Sequence, residues 1–310
     1  MNKRGLFAAF FVILFLIAIG YAGYYLYQNI PRHTVNLVST NSEQITTTNT
    51  LPSKQFYENM RYPNNIINYH ISETCPEIKS SRMQEAFDIL ENLTVLDFSP
   101  VSESNAILKI LCSDISPEAE EKDHFVAGEG GPSRVINSTL YSVILEGKVA
   151  LYREGNCKNA NVALHELLHA LGFDHNNDEK SILYPILICD QKIDQEIIDS
   201  INEIYGVGSA PDLVFAELTA SKSGRYVNFH MEVLNRGLIP AEGVFVGLYA
   251  DDEFVEEFQL DLVSVGGKKI IDVENLKVPL NAKSLEFVID YQNQITELFE
   301  ENNIVKLSTA

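Results

Sequence analysis

Three histidines and a glutamate are spaced so that they could hold one metal ion and act beside it. His165 and His169 are four residues apart, so on a helix their imidazoles lie on one face. Glu166 follows His165 directly and could reach a water molecule on that metal. Gly172 can end the helix and turn the chain, which would bring in His175 as a third ligand. Three nitrogen ligands that leave a fourth position open are typical of catalytic zinc sites.

These residue types indicate metal-assisted hydrolysis. Zinc lowers the pKa of its water to roughly 7, and Glu166 could take that proton and pass it to the leaving group. The alternative is an ordinary amphipathic core helix, because four leucines share the same stretch. We expect those leucines in the core, but core packing does not account for three histidines at metal-ligand spacing. The leucines are Leu164, Leu167, Leu168 and Leu171.

Helices and strands must position these residues, and the periodicity predicts a mixed α and β region around them. The motif helix is predicted over residues 159–171, and Gly172 follows it. A second helix is predicted over 81–93, where Ser81 and Gln84 have the spacing of a capping box. The remaining predicted elements are strands over 66–71 and 106–111, a hairpin over 142–152 turning near Glu146 and Gly147, and a helix over 190–205.

The pattern changes from Pro211 to the end of the chain. Short apolar runs alternate with turn residues, and no helical stripe of useful length appears. This pattern is typical of an antiparallel β-sandwich of about 100 residues. The predicted strands cover residues 213–218, 226–234, 244–249, 269–273 and 285–291.

The beginning of the chain predicts a location outside the cytoplasm. Residues 6–27 carry no charge and are long enough to span a membrane as a helix. Lys3 and Arg4 precede this run, which would leave the rest of the chain outside a cell membrane that it crosses once. The alternative is a cleaved signal peptide and a secreted protein. The polar tract that follows predicts a flexible stalk over 31–55.

That location permits disulfides, and the chain has four cysteines. Four cysteines allow three pairings, among which the sequence does not choose. We favour pairing near neighbours in the chain, Cys75 with Cys112 and Cys157 with Cys189; the alternative is four buried thiols.

The net charge of the chain limits the kinds of partner that the protein can bind. The formal net charge is -20, which argues against nucleic acid because phosphate binding needs clustered basic side chains. The acidic, glycine-rich loop 118–132 could bind calcium through carboxylate oxygens. A solvated loop is the alternative that we favour, because no calcium-ligand spacing is recognisable.

The motif from His165 to His175 is similar to the metzincin signature H-E-x-x-H-x-x-G-x-x-H. The segment Ser181-Ile182-Leu183-Tyr184-Pro185 resembles the methionine turn of matrix metalloproteases, with Leu183 in the methionine position. The resemblance implies a zinc endopeptidase in which Glu166 is the general base. It also implies that Leu183 packs beneath the zinc and that Tyr184 and Pro185 line a substrate pocket. An extended peptide would pair with a sheet edge from 134–140 or the adjoining hairpin.

The C-terminal segment resembles CARDB-type Ig-like modules. The resemblance rests on Pro211-Asp212-Leu213-Val214, Val233-Leu234-Asn235-Arg236-Gly237 and the closing stretch 290–303. It implies a spacer, or a module that binds a surface protein or polymer.

The sequence therefore predicts an α+β chain in four parts. These are a transmembrane anchor or signal (1–30), a stalk (31–55), a metzincin-like domain (56–208) with a twisted mixed sheet and three helices, and a CARDB/Ig-like β-sandwich (209–310). Two functions follow. One is a membrane-anchored zinc endopeptidase acting on peptides or proteins. The other is a surface binding or adhesion protein whose protease-like domain is weak or inactive, which Leu183 favours.

Overall fold

The computed structural model describes residues 3–29, 34–39, 54–118, 125–153 and 158–309. The N-terminal apolar run forms helix α1 (Lys3–Asn29), and strand β1 (Thr34–Ser39) follows it. A search of the described residues finds no helix with both the length and the hydropathy that crossing a membrane requires. The predicted transmembrane helix is therefore not supported.

A mixed sheet forms the centre of the first folded region. Strands β4, β3, β5 and β7 are parallel neighbours in that order, and β2 pairs in parallel with the beginning of β7. Strand β6 pairs antiparallel with β7, so the predicted mixed sheet is present. The strands are β2 (Met60–Arg61), β3 (Ile66–Ile71), β4 (Asp97–Pro100), β5 (Leu108–Cys112), β6 (Gly128–Asn137) and β7 (Ser142–Leu151).

The described residues of this region form three α-helices: α2 (Glu77–Leu93), α3 (Asn161–Ala170) and α4 (Gln195–Gly206). Helix α2 begins four residues before the predicted start, with Pro76 at its N-cap, so Ser81 lies inside the helix and caps nothing. Helix α4 begins later than predicted. The buried Gln191 side chain bonds to the carbonyl groups of Glu179 and Ile186 instead of continuing a helical stripe.

The predicted hairpin over 142–152 is wrong, because β7 runs through Glu146 and Gly147 without turning. The hairpin is formed by β6 and β7, which are joined through residues 138–141. Gly147 has another role. A Cβ atom there would lie 2.0 Å from the Tyr62 hydroxyl, so the glycine lets β7 lie against that buried ring.

The second folded region is an antiparallel sandwich. Its two halves, β11-β10-β13-β14 and β8-β9-β12, face a common apolar core. The Phe229 and Phe287 rings, one from each half, lie 5.0 Å apart between centroids. The strands are β8 (Leu213–Ser223), β9 (Tyr226–Asn235), β10 (Ala241–Ala250), β11 (Glu253–Val263), β12 (Lys268–Lys277), β13 (Ser284–Ile289) and β14 (Ile304–Thr309).

The predicted stalk over 31–55 needs correction at both ends. Strand β1 pairs with β14 on one side and with β8 on the other, and Leu37 is buried in the sandwich core. Gln55 forms a β-bridge with Phe173. Residues 40–53 lie outside the described residues. The first folded region is therefore joined at both ends to neighbouring strands of the second.

A disulfide joins Cys75 to Cys112, which is one of the two favoured pairs. It ties the segment before α2 to the end of β5. The other favoured pair involves Cys157, which lies outside the described residues.

Candidate metal centre

Helix α3 places two of the predicted ligands and the glutamate together. Its apolar side chains join the core of the mixed-sheet region, which orients the polar face. His165, Glu166 and His169 are each about 5% exposed. The helical period therefore brings both imidazoles and the carboxyl group to one buried place.

Gly172 turns the chain immediately after α3. Its φ is +98°, in the region that favours glycine, and a Cβ atom there would lie 2.5 Å from Cγ of Met60. After this turn His175 comes back to the helix from the exposed side. The Nε2 atom of His169 lies 3.0 Å from that of His165 and 3.2 Å from that of His175, and the third separation is 3.3 Å.

These separations fit one zinc ion. Tetrahedral coordination with zinc–nitrogen bonds of 2.0–2.1 Å places the ligand nitrogens roughly 3.3 Å apart. The other ring nitrogens are held by backbone carbonyls: Nδ1 of His165 lies 2.6 Å from the Ile182 oxygen, and Nδ1 of His169 lies 2.7 Å from the Phe173 oxygen. When each Nδ1 donates its proton there, the Nε2 lone pairs face one another.

Burial disfavours the protonated form of all three imidazoles. Burial lowers the pKa of His165 to about 3, with a further contribution from His169. Burial also lowers the pKa of His169 and the pKa of His175. Metal ligation needs the neutral ring, so the site is prepared for a cation.

Glu166 lies beside this group under strand β6. Burial and, to a lesser degree, the Glu129 charge raise the pKa of its carboxyl group to about 8, and a hydrogen bond from the Gly130 backbone opposes them. A Cβ atom at Gly128 would lie 2.6 Å from Cγ of Glu166, and one at Gly130 would lie 1.9 Å from its backbone oxygen. The two glycines therefore let β6 lie directly on the glutamate.

The predicted turn beneath the site is buried and tied to the next helix. Leu183 is 1% exposed within the same core as α3. The buried Ser181 hydroxyl donates to Asp194, accepts from Asn176 at 2.6 Å and accepts from the Leu183 backbone at 3.1 Å. This network fixes the segment whose Ile182 carbonyl holds His165.

The other predicted site residues are placed as follows. Tyr184 is half-buried and Pro185 exposed, directly after the turn. In the suggested calcium loop, residues 119–124 lie outside the described residues. The described part of that loop brings together no group of three possible ligands, and it includes the beginning of β6.

A second group of possible ligands lies on the sandwich. Glu217, His230 and Glu232 bring their ligand atoms within 4.8 Å of one another. Lys268 pairs with Glu232 at 2.9 Å, and Asp272 lies 2.7 Å from Nδ1 of His230. Because these partners already engage the group, we assign no metal to it.

Gly128 and Gly130 were predicted to lie in a solvated loop, and the structure places them in β6 beside Glu166. The spacing of these glycines in the sequence could have predicted this close contact. Glycines at alternate positions of a strand leave one face without side chains, which marks a close approach by another element.

Replacing Gly172 with alanine is expected to lower the free energy of unfolding by about 2 kcal/mol or more, because strain at positive φ adds to the clash with Met60. Zinc affinity should fall too, since the turn positions His175. Chemical denaturation checks the first effect. The control is Gly208→Ala, because a Cβ atom there meets nothing within 4 Å. Equal stability of the two variants would contradict this role.

Comparison with known proteins agrees with this geometry. Residues 61–206 match the matrixin family model, and residues 210–307 match the CARDB model. The chain is 29% identical to the interstitial collagenase of Sus scrofa over 166 residues, which cover 49% of this chain and 34% of the collagenase. It is 25% identical to the interstitial collagenase B of Mus musculus over 240 residues, covering 72% and 47%.

The chain thus spans about a third of the length of the first of these relatives. Among solved structures, a CARDB domain from Pyrococcus furiosus in complex with di-metal ions is similar at 16% identity and a TM-score of 0.27, covering 32% of this chain and 88% of that one. Residues 61–206 of the chain are a matrixin domain, followed at 210–307 by a CARDB domain.

Proposed function

We propose that the protein is a zinc-dependent endopeptidase. The observation that carries the proposal is the approach of three Nε2 atoms to within 3.3 Å of one another beside a buried glutamate. Membership of residues 61–206 in the matrixin family supports the same reaction class.

The proposed reaction assigns one task to each side chain. His165, His169 and His175 would hold the zinc, which when bound supplies Lewis-acid chemistry that makes water more acidic and a carbonyl more reactive. Glu166 accepts a proton from the attacking water and returns it to the leaving amine. Burial raises the pKa of this carboxyl group, and a zinc ion bound beside it would favour the ionised form that accepts the proton.

Strand β6 is the proposed docking edge for an extended peptide. Among the described strands it pairs only with β7, so its other edge has no strand partner there and offers main-chain groups to a peptide. It also passes over Glu166, which would bring the scissile bond to the proton-transfer group. The edge begins at Gly128, before the segment 134–140 that the sequence analysis suggested. Tyr184 and Pro185, which follow the buried turn, are proposed to line the adjoining side-chain pocket.

We propose that the enzyme works outside the cytoplasm. The Cys75–Cys112 disulfide supports this location, because structural disulfides persist in oxidising compartments and are rare in reducing ones. Peptides or proteins of that compartment are the proposed substrates.

The second candidate is a surface-binding protein in which the CARDB domain is the working part. Leu183 in place of the turn methionine favours it, since the family turn is altered here. A buried leucine is a volume-conserving replacement for methionine, however, and usually costs less than about 1.5 kcal/mol. The preserved Glu166 therefore supports the enzyme.

Removal of the metal tests the proposal. The zinc-loaded chain is expected to cleave quenched fluorescent peptides of ten or so residues, to lose this activity in a chelator such as 1,10-phenanthroline, and to regain it on addition of zinc. Cleavage that persists in the chelator would contradict the zinc mechanism. A zinc-loaded chain that cleaves none of a broad peptide library would favour the surface-binding alternative.

A further inference from the structure

We propose that the CARDB domain is a positioning element for the peptidase site, acting by clamping the far end of strand β6. The proposal rests on the proposed function for its catalytic consequence. Its structural core, that docking on the CARDB domain immobilises β6, can be tested without any activity.

Among the described strands, β6 is paired on one side only within its own domain. None of its ten residues is fully buried, and it is an edge strand of the mixed sheet. Its pairing with β7 shifts register on both sides of Arg134, next to Pro132, which has no N–H group to donate. Because an edge strand is paired on one side only, a contact at its far end adds support that the sheet does not supply.

One end of β6 lies at the reacting groups. Gly128 and Gly130 contact Glu166 so closely that any side chain at either position would collide with it. A displacement of this end would therefore move the backbone that donates to the Glu166 carboxyl group. It would also move the edge on which a peptide would pair.

The other end of β6 docks on the CARDB domain. Val143 of β7 is fully buried in a small apolar cluster with Leu238 and Val265, both from CARDB loops. The Ser138 hydroxyl at the hairpin tip is 1% exposed and donates to the Arg236 carbonyl at 2.8 Å. The cluster is separate from the sandwich core, so it serves the contact between the domains.

A glycine makes this contact close. Gly266 has a φ of +65°, and a Cβ atom there would lie 2.6 Å from the Asn137 backbone oxygen, the last residue of β6. The CARDB turn thus touches the strand itself. From Gly130 to Asn137 a strand extends roughly 23 Å, so one continuous strand joins the domain contact to Glu166.

The test compares matched valines in the whole chain. Val265→Ala and Val265→Asp weaken the domain contact, whereas Val263→Ala removes the same two methyl groups from the sandwich core. Leu238→Ala is a second contact variant, should the aspartate variant fold poorly. For each variant we would measure the amide hydrogen exchange of residues 128–137 and the zinc content. We would also measure KM and kcat for a ten-residue peptide.

The proposal expects Val265→Asp to speed exchange across β6 about tenfold, with smaller changes in the alanine variants of the contact. KM should rise by a similar factor with one zinc retained per chain, because substrate pairs with β6 while the ligands lie on α3 and its turn. Val263→Ala should lower thermal stability but leave β6 exchange and KM unchanged.

Unchanged exchange of β6 in Val265→Asp and Leu238→Ala would overturn the clamp. Faster exchange with unchanged KM and kcat would overturn its catalytic consequence. A wild-type chain without peptidase activity would contradict the proposed function but not the clamp. The exchange comparison would still decide whether the CARDB domain holds β6.

Discussion

Replacing Glu166 with alanine is expected to lower kcat/KM for peptide cleavage by about a thousandfold while zinc stays bound. A positioned general base contributes roughly 10²–10⁴-fold, and no other carboxyl group among the described residues is buried beside the three imidazoles. Glu166 is placed to transfer protons and not to bind the metal. Its loss should therefore separate catalysis from zinc content.

The substitution should leave the fold intact. Burial raises the pKa of Glu166, so the folded protein gains nothing from an ionised carboxylate at this position. The control is Glu85→Ala, which removes a half-exposed carboxylate from α2 that pairs with Arg82. Peptide kinetics and metal analysis of both variants check the prediction. If the Glu166→Ala variant cleaves peptides with near wild-type kinetics, Glu166 is not the general base.

Replacing Arg61 with alanine is expected to lower the free energy of unfolding by about 3 kcal/mol or more. Arg61 is 1% exposed, and its guanidinium group bonds only to backbone carbonyls. Loss of a partner leaves a buried polar group at a cost of roughly 1–3 kcal/mol, and several carbonyls would lose theirs together. The acceptors are the carbonyl oxygens of Tyr62, Pro63, Ile204 and Val207.

Two of these carbonyls explain why the position needs arginine. Ile204 and Val207 lie at the C-terminal end of α4, where carbonyls lack helical partners and a positive charge is favoured. The guanidinium group also lies over the Tyr205 ring, 4.7 Å from its centroid. Arg61→Lys should recover only part of the stability, because an ammonium group cannot reach several acceptors with one planar fork.

Denaturation of the whole chain measures the effect of Arg61→Ala. Arg82→Ala is the control, since the Arg82–Glu85 pair lies on the surface of α2 and is worth at most about 1 kcal/mol. If the two alanine variants unfold alike, Arg61 does not fasten β2 to α4 in the way described.

The metal-binding part of the structure was predictable because it is local. His165 and His169 are related by one helical turn, and Gly172 ends the helix where the sequence indicates. The sandwich was predictable for a similar reason, since short strands separated by turn residues leave a periodic pattern.

The features that escaped prediction depend on partners distant in the chain. Arg61 bonds to the end of α4, more than 140 residues away in the chain. The residues next to it in the sequence do not indicate that it is buried. Strand β1 joins a sheet whose other strands begin after Pro211, and the polar tract 39–53 that follows it favoured a stalk. Gly147 was assigned to a turn, although it makes room for Tyr62.

X-ray absorption at the zinc edge, combined with metal analysis of the purified chain, tests the metal centre most directly. The account predicts one zinc per chain with three imidazole nitrogens at about 2.0–2.1 Å, and loss of that zinc in His169→Ala. A chain that binds no zinc, or an unchanged zinc spectrum in His169→Ala, would contradict it.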